Sequence, residues 1–266
     1  MSKKLLFTVT VVLLVIAFSV SAFMVGRYVI EGKKSEDRFA ELANQASAAA
    51  TETTEAEEPE ESTAATEETT EPTEPKMIAG YEEIYNQNND LVGWIKMEGT
   101  RLNYPVMQTP DDFDFYLERD FDKKYSSRGT LFTSAEADIN LPSDNITIYG
   151  HNMADGSMFN CLGAYTSKQA GENNSLIFFD TLYEYHTYKI FAVFKTSANI
   201  GQGFSYHKFV DAANEEEFND FVAECKRLSF YDTGITPVYG DKLIALSTCE
   251  YTLDNGRLVV AAVRIT

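Results

Sequence analysis

The chain begins with one long apolar run. Residues 5–26 carry no charge and consist mainly of Leu, Val, Phe and Ala, with Lys3 and Lys4 before them and Arg27 after them. A helix of about 20 apolar residues spans the ~30 Å core of a bilayer, so this run predicts a transmembrane anchor. A cleaved signal peptide is the alternative, because VSA at 20–22 is a passable cleavage site. The run is longer than a usual signal-peptide core, which favours an uncleaved anchor.

A polar segment of low complexity follows the apolar run. Residues 51–75 contain only Thr, Glu, Ala, Pro and one Ser, and ten of them are Glu. Without large apolar side chains such a segment cannot offset the entropy cost of ordering, and repulsion between the Glu side chains extends it. We therefore expect three regions: a cytoplasmic tip and transmembrane anchor (1–30), a juxtamembrane segment with a disordered stalk (31–76), and a folded domain (77–266).

Short apolar or alternating runs separated by turn residues dominate the folded domain, which is typical of β-strands. The runs lie at residues 92–97, 102–106, 130–132, 146–149, 176–179, 187–196, 242–247 and 258–263. Many short strands at fairly regular spacing predict a closed or nearly closed barrel. The predicted fold class is therefore mainly β, with about eight strands.

Helical periodicity interrupts the strands at a few places. A short helix is expected near residues 78–88, and one or two helical turns within 111–118. Asn214, with Glu217 three residues later, is close to a capping box at a helix N-terminus. The apolar residues that follow have helical spacing, at positions 218, 221, 222, 225 and 228. We expect a long amphipathic helix here, inserted late in the barrel between two strands.

The charge and the cysteine content exclude several classes of protein. The chain has 41 acidic and 22 basic side chains and a formal net charge of −19, which argues against a nucleic-acid partner because phosphate recognition relies on clustered Lys and Arg. Three cysteines are too few for a disulfide scaffold, and no CxxC or HExxH motif offers a metal site. We expect no metal and no cofactor.

Three chemically reactive side chains stand at the ends of predicted strands. His151 follows the run at 146–149, Cys249 lies at the end of an apolar strand, and Arg257 begins the last strand eight residues later. If the last two strands form a hairpin, Cys249 and Arg257 face each other near its mouth. A thiolate that attacks, a histidine that moves a proton and a guanidinium that donates to an oxyanion make a workable nucleophilic site.

Each of these side chains also has an ordinary structural explanation. A free cysteine is more often a small buried apolar residue than a nucleophile, and a single His or Arg beside a strand is usually structural or solvated. The remaining candidates are expected to be structural. Cys161 and Cys225 are interpreted as packing residues, and His186 and His207 lack metal-ligand spacing.

The sequence around the three residues resembles the sortase family. Residues 245–249 read ALSTC, close to the family's TLxTC motif but with Ala in place of the first Thr. Arg257 follows the cysteine at the family's spacing of eight or nine residues, and His151 lies 98 residues before it. The segment YGHNMADGSMF at 149–159 resembles class B in particular. The resemblance covers essentially all of residues 77–266.

The resemblance implies a cysteine transpeptidase on the outer face of a Gram-positive cell membrane, held by a single membrane span. Cys249 would attack the threonine carbonyl in a sorting signal near the C-terminus of a surface protein and form a thioester. An amine from a peptidoglycan precursor or another protein would resolve it. His151 would transfer the protons, and Arg257 would hold substrate and oxyanion. The positions that match the family's peptide groove are Leu117, Tyr149, Ser247 and Glu250, the last through its backbone N–H.

Three other kinds of protein are alternatives to a sortase. An L,D-transpeptidase would have His-Gly directly before its cysteine, whereas Ser247 and Thr248 stand here. A papain-like protease would have its cysteine before its histidine, and the order here is reversed. A membrane-tethered binding module without catalysis requires that the Cys, His and Arg side chains be far apart or buried.

Overall fold

The computed structural model describes residues 3–54, 75–199 and 201–266, and it divides the chain into two units, Met1–Glu41 and Leu42–Thr266. Helix α1 (Lys3–Thr54) is long and apolar enough over Lys3–Ser47 to be a candidate membrane span. Its large apolar side chains between residues 5 and 30 are exposed, as an anchor requires. The predicted stalk falls mostly on residues 55–74, which lie outside the described residues.

Within the described residues of the second unit, eight strands close into a barrel. They are β1 (Leu91–Lys96), β2 (Asn103–Met107), β3 (Leu131–Thr133), β4 (Asn145–Tyr149), β5 (Leu176–Thr181), β6 (Thr187–Ser197), β7 (Leu243–Glu250) and β8 (Gly256–Arg264). Neighbouring strands follow the order β1-β2-β3-β4-β7-β8-β6-β5, and β5 pairs with β1 to complete the ring. The mainly-β barrel prediction is confirmed, with every strand within three residues of its predicted ends.

The long helix is confirmed as α4 (Glu215–Leu228), which follows β6 in the chain. The Asn214 side chain accepts a hydrogen bond from the Glu217 N–H at 3.0 Å, and the Glu217 carboxylate accepts one from the Ala213 N–H at 2.8 Å. The helix packs its apolar stripe onto side chains of β6, β7 and β8. Burial on both faces explains why β7 reads as a continuous apolar run rather than an alternating one. The buried residues of the stripe are Phe218, Phe221, Val222 and Cys225.

The other helices are short. Among the residues that the structure describes, they are α2 (Ala79–Gln87), α3 (Lys168–Asn173) and three 3₁₀ helices, at Phe115–Glu118, Phe159–Thr166 and Tyr206–Lys208. The helix predicted near residues 78–88 is α2, and the helical turn predicted within 111–118 is the 3₁₀ helix at Phe115–Glu118.

Strand pairing determines which residues meet at one end of the barrel. Strands β4 and β7 are parallel, with Tyr149 opposite Ser247, so the chain leaves both strands at the same end. Strand β8 is antiparallel to β7, so it begins where β7 ends. This end of the barrel therefore collects the residues that follow β4, those that end β7 and those that begin β8.

Candidate active site

Cys249 and Arg257 are paired across the β7–β8 hairpin, as the sequence predicted. Residues directly opposite each other in an antiparallel pair have Cβ atoms about 5 Å apart and project from the same face. Both side chains are half-buried, so each is in contact with protein and still open to a ligand. A thiol and a guanidinium therefore stand side by side at the end of the barrel.

His151 is the second residue after β4 and is oriented by a backbone carbonyl. Its Nε2 lies 2.8 Å from the Leu117 carbonyl oxygen. Because a carbonyl oxygen only accepts, Nε2 is the protonated nitrogen in this contact, which leaves Nδ1 to exchange a proton. Gly150, which precedes His151, has no room for a side chain, since a Cβ there would collide with the side chains of Leu131 and Phe159.

One cavity of about 290 Å³ brings these residues together. Cys249, His151 and Arg257 all line it, and so do three of the four residues expected in a peptide groove, Leu117, Tyr149 and Ser247. The three reactive side chains are therefore neither far apart nor sealed inside the protein. The condition that a purely adhesive module would require is not met.

Aromatic side chains form one wall of the cavity. The rings of Phe132 and Tyr149 are stacked with centroids 5.5 Å apart, and Phe113 meets Tyr149 edge-on at 5.2 Å. Burial raises the pKa of the Tyr149 phenol, so it stays protonated at neutral pH. An apolar wall of this kind excludes water, which strengthens polar interactions inside the cavity.

Glu250 does not line the cavity. Its carboxylate is nearly buried against Lys195, with Oε1 2.7 Å from Nζ, and accepts hydrogen bonds from the Thr252 hydroxyl and N–H at 2.6 and 3.0 Å. Burial acts to raise the pKa of this carboxyl, but the hydrogen bonds and the charge of Lys195 outweigh it and lower the pKa to about 2. The side chain thus organises the β7–β8 turn, and only the backbone of Glu250 is left for a role toward a peptide.

The segment between β6 and α4 contributes residues that the sequence did not single out as functional. Tyr206 and His207 both line the cavity, although the sequence context of His207 favours only a structural role. The Tyr206 hydroxyl lies 2.6 Å from the Ser247 Oγ, so it holds this groove residue in place. Burial, followed by the charges of Lys208 and Arg257, lowers the pKa of His207, which is neutral at neutral pH. The aromatic-rich stretch FSYHKF at 204–209 was the available signal.

Arg257 is turned partly toward its own hairpin. Its Nη1 donates to the Gly256 carbonyl at 2.9 Å and to the Asn255 side-chain oxygen at 3.0 Å. No carboxylate in the described part of the chain pairs with it. Its Nε and Nη2 donors are therefore left for a ligand in the cavity. The same described residues contain no cluster of three or more His, Cys, Asp or Glu that could hold a metal ion.

The three cysteines differ in their environment, which makes a labelling prediction possible. Cys225 is fully buried in the α4 core, and burial raises the pKa of the thiols of both Cys225 and Cys161. A protonated thiol is a poor nucleophile. We expect iodoacetamide at neutral pH to alkylate Cys249 first, as measured by mass spectrometry of tryptic peptides from the folded protein. Labelling of Cys161 as rapidly as Cys249 would contradict this assignment.

Comparisons with known proteins show which family this chain resembles. A family model described as Sortase domain matches residues 95–265. The chain is 32% identical over 184 residues to Sortase B of Staphylococcus aureus, covering 68% of this chain and 73% of the relative. It is 28% identical over 186 residues to Sortase B of Listeria monocytogenes, covering 69% and 73%. The structure of the S. aureus sortase B–substrate complex superimposes with a TM-score of 0.75 and 26% identity, over 89% of this chain and 99% of that one.

Proposed function

The chain belongs to the sortase family and is a class B cysteine transpeptidase, and from this premise we propose that Cys249 is its nucleophile, His151 its proton-transfer residue and Arg257 its oxyanion donor. One observation carries the assignment: these three side chains come from three different strand ends and line one cavity. Covalent catalysis needs a nucleophile, a proton carrier and donors for the developing charge, and the cavity contains one of each.

In the first step the Cys249 thiolate attacks the carbonyl carbon of the threonine in the sorting signal. Negative charge develops on the carbonyl oxygen, where the free guanidinium donors of Arg257 stabilise it. The C–N bond to the next residue then breaks, and His151 gives its proton to the departing amine. The product is a thioester between the substrate threonine and Cys249.

In the second step an amine attacks the same carbonyl carbon. His151 takes the proton from the amine, the C–S bond breaks, and the thiolate of Cys249 is restored. Because His151 gives a proton in the first step and takes one in the second, the ring returns to its starting state. The acceptor is an amine of a peptidoglycan precursor or of another protein.

The substrate peptide lies along the aromatic wall of the cavity. Leu117 contributes apolar contact, Tyr149 and Ser247 contribute contact and hydroxyl groups, and Glu250 contributes its backbone N–H. The similarity of this fold to the S. aureus sortase B–substrate complex supports binding of a substrate here.

Peptide libraries test the proposed activity and identify the preferred sorting signal. The libraries are incubated with the enzyme and with Cys249→Ala, and the cleaved products are detected by mass spectrometry. Absence of any Cys249-dependent product would overturn the proposed activity.

The apolar part of α1 anchors the enzyme in the cell membrane as a single span, and the catalytic domain lies on the outer side. A polar stalk between the two lets the domain reach substrates that are themselves at the surface. The substrates of the enzyme are surface proteins that carry a sorting signal.

The domain boundary gives a prediction. A protein that begins at Met77 is expected to stay folded and to cleave peptides like the full chain, because the barrel and every proposed site residue lie after that point. It should remain in the supernatant when liposomes are sedimented, whereas the full chain should sediment with them.

A second protein that begins at Leu42, where the second unit starts, is the matched control. Aggregation of the Met77 version, or loss of its cleavage while the full chain is active, would show that the domain does not start at residue 77.

A further inference from the structure

His151 stands between two residues that are each bonded to strand β7. On its N-terminal side, the Gly150 N–H donates to the Ser247 carbonyl at 3.1 Å. The Gly150 carbonyl accepts a hydrogen bond from the Thr248 hydroxyl at 2.7 Å. These two bonds hold the chain that enters His151 against the strand that carries the cysteine.

On the C-terminal side of His151, the link to β7 is a side chain. The Asn152 Nδ2 donates to the carbonyl oxygen of Cys249 at 3.2 Å. Asn160, in the following 3₁₀ helix, donates from its Nδ2 to the Asn152 Oδ1 at 2.9 Å. Because an amide oxygen only accepts and an amide nitrogen only donates, the bond from Asn160 keeps the Asn152 nitrogen directed at Cys249.

We propose that Asn152 is a positioning residue that sets the separation between the His151 imidazole and the Cys249 thiol. The inference rests on the proposed catalytic roles of these two residues. Asn152 is adjacent to one of them in sequence and hydrogen-bonded to the backbone of the other. If the Asn152 amide is removed, the segment that follows His151 loses its hydrogen bond to the backbone of Cys249. A misplacement of about 1 Å between reacting groups can lower a rate ~100-fold.

Other contacts keep the same loop folded when Asn152 is changed. The Phe159 N–H donates to the His151 carbonyl at 2.9 Å. Arg128 is buried, pairs with the Asp155 carboxylate and donates to the Ser157 hydroxyl at 2.9 Å. None of these bonds involves the Asn152 side chain. We therefore expect substitution of Asn152 to affect the alignment of the two reacting groups more than the stability of the protein.

The test uses Asn152→Ala and Asn152→Asp in the full chain. Asp has nearly the same size but replaces the donating NH₂ with an oxygen that repels the Cys249 carbonyl. With a sorting-signal peptide that the unaltered enzyme cleaves and with triglycine as the acceptor, kcat is expected to fall ~10- to 100-fold while KM stays within about twofold. Asn160→Ala, which only frees the amide to rotate, should have the same effect in weaker form.

The matched control is Asn174→Ala. Asn174 is also half-buried and also donates its amide to a backbone carbonyl, but its acceptor, Glu98, does not line the cavity, whereas Cys249 does. Its variant loses one bond of the same kind and should keep normal kcat. Equal losses of kcat in the Asn174 and Asn152 variants would overturn the positioning role.

A second substrate separates positioning from general damage. A nitrophenyl ester of the same acyl peptide releases a leaving group that needs no proton, so its reaction with Cys249 depends little on where His151 lies. Asn152→Ala should form this thioester within ~3-fold of the unaltered rate while its amide cleavage falls ~10-fold or more. Equal losses on ester and amide would overturn the inference, and so would normal amide cleavage by both Asn152 variants.

The failure of this inference can be told apart from the failure of the proposed function. If Cys249→Ala is inactive and both Asn152 variants behave like the unaltered enzyme, only the role of Asn152 is wrong. If Cys249→Ala still turns over, the proposed nucleophile is wrong, and the role of Asn152 falls with it.

Discussion

Cys249→Ala is expected to abolish both peptide cleavage and amide transfer while leaving the protein folded. The other two cysteines cannot replace it, because Cys225 is buried in the core of α4 and Cys161 does not line the cavity. Covalent catalysis divides one difficult acyl transfer into two easier steps, and without the thiol neither step has a route. Loss of a catalytic nucleophile typically lowers kcat by about a million-fold, which puts the variant below detection.

The measurement is the yield of cleaved and amine-linked peptide, followed by mass spectrometry over hours. Thermal unfolding should be nearly unchanged, since the half-buried Cys249 loses a single sulfur atom at the edge of the barrel. Cys161→Ala is the control, because it removes another half-buried thiol and should leave turnover intact. Full turnover by Cys249→Ala would show that the thioester route is wrong.

The strands, the long helix and the β7–β8 hairpin were all predictable because their signals are local. Alternation over five residues specifies a strand, and a short polar segment between two strands specifies a hairpin. The hairpin alone places Arg257 opposite Cys249, and the structure confirms that pairing. The N-cap at Asn214 was readable for the same reason, since its partner Glu217 is three residues away.

The position of His151 relative to Cys249 could not be predicted from local patterns. It depends on the parallel pairing of β4 with β7, whose residues are about a hundred positions apart in sequence. Periodicity identifies strands, but it does not specify which distant strands become neighbours. At the level of sequence, the strand-end positions only suggested that His151 and Cys249 form one site, and the resemblance to a family was needed to support that hypothesis.

Part of the cavity wall also could not be predicted from the sequence. Tyr206 and His207 lie in the segment between β6 and α4 and line the cavity, and the path of this segment is determined by its packing against the barrel. The link from Asn152 to the Cys249 carbonyl likewise exists only once β4 and β7 are side by side. Side-chain contacts between distant segments follow from the fold, so they could not be predicted before it.

Arg257→Lys is expected to lose most activity although it keeps the positive charge, and Arg257→Ala should lose more. The first step of the reaction places negative charge on the substrate carbonyl oxygen, and removing one donor to such an oxygen typically lowers the rate ~100- to 1,000-fold. A planar guanidinium binds the oxyanion and the substrate backbone together, which a lysine ammonium cannot reproduce. The measurement is kcat/KM for peptide cleavage at saturating acceptor.

The structure supplies a specific rival explanation for Arg257. Its Nη1 bonds to Asn255 and Gly256, so the side chain could matter only because it stabilises the hairpin. These hydrogen bonds are at least partly open to solvent, which weakens their net contribution to the free energy of unfolding, so thermal unfolding should change little in either variant. An ion pair is not a rival, since no carboxylate among the described residues pairs with this guanidinium.

Asn255→Gly separates the two explanations. Asn255 has a positive φ of 47°, which glycine adopts without strain, so this variant removes the side-chain acceptor of Arg257 and keeps the turn. If Arg257 acts on the oxyanion, Asn255→Gly should retain near-normal kcat/KM while Arg257→Lys falls by ~100-fold. If Arg257 only stabilises the hairpin, both variants should lose little activity and unfold at slightly lower temperature. Near-normal turnover by Arg257→Lys would therefore show that Arg257 does not stabilise the oxyanion, and the proposed donor would be wrong.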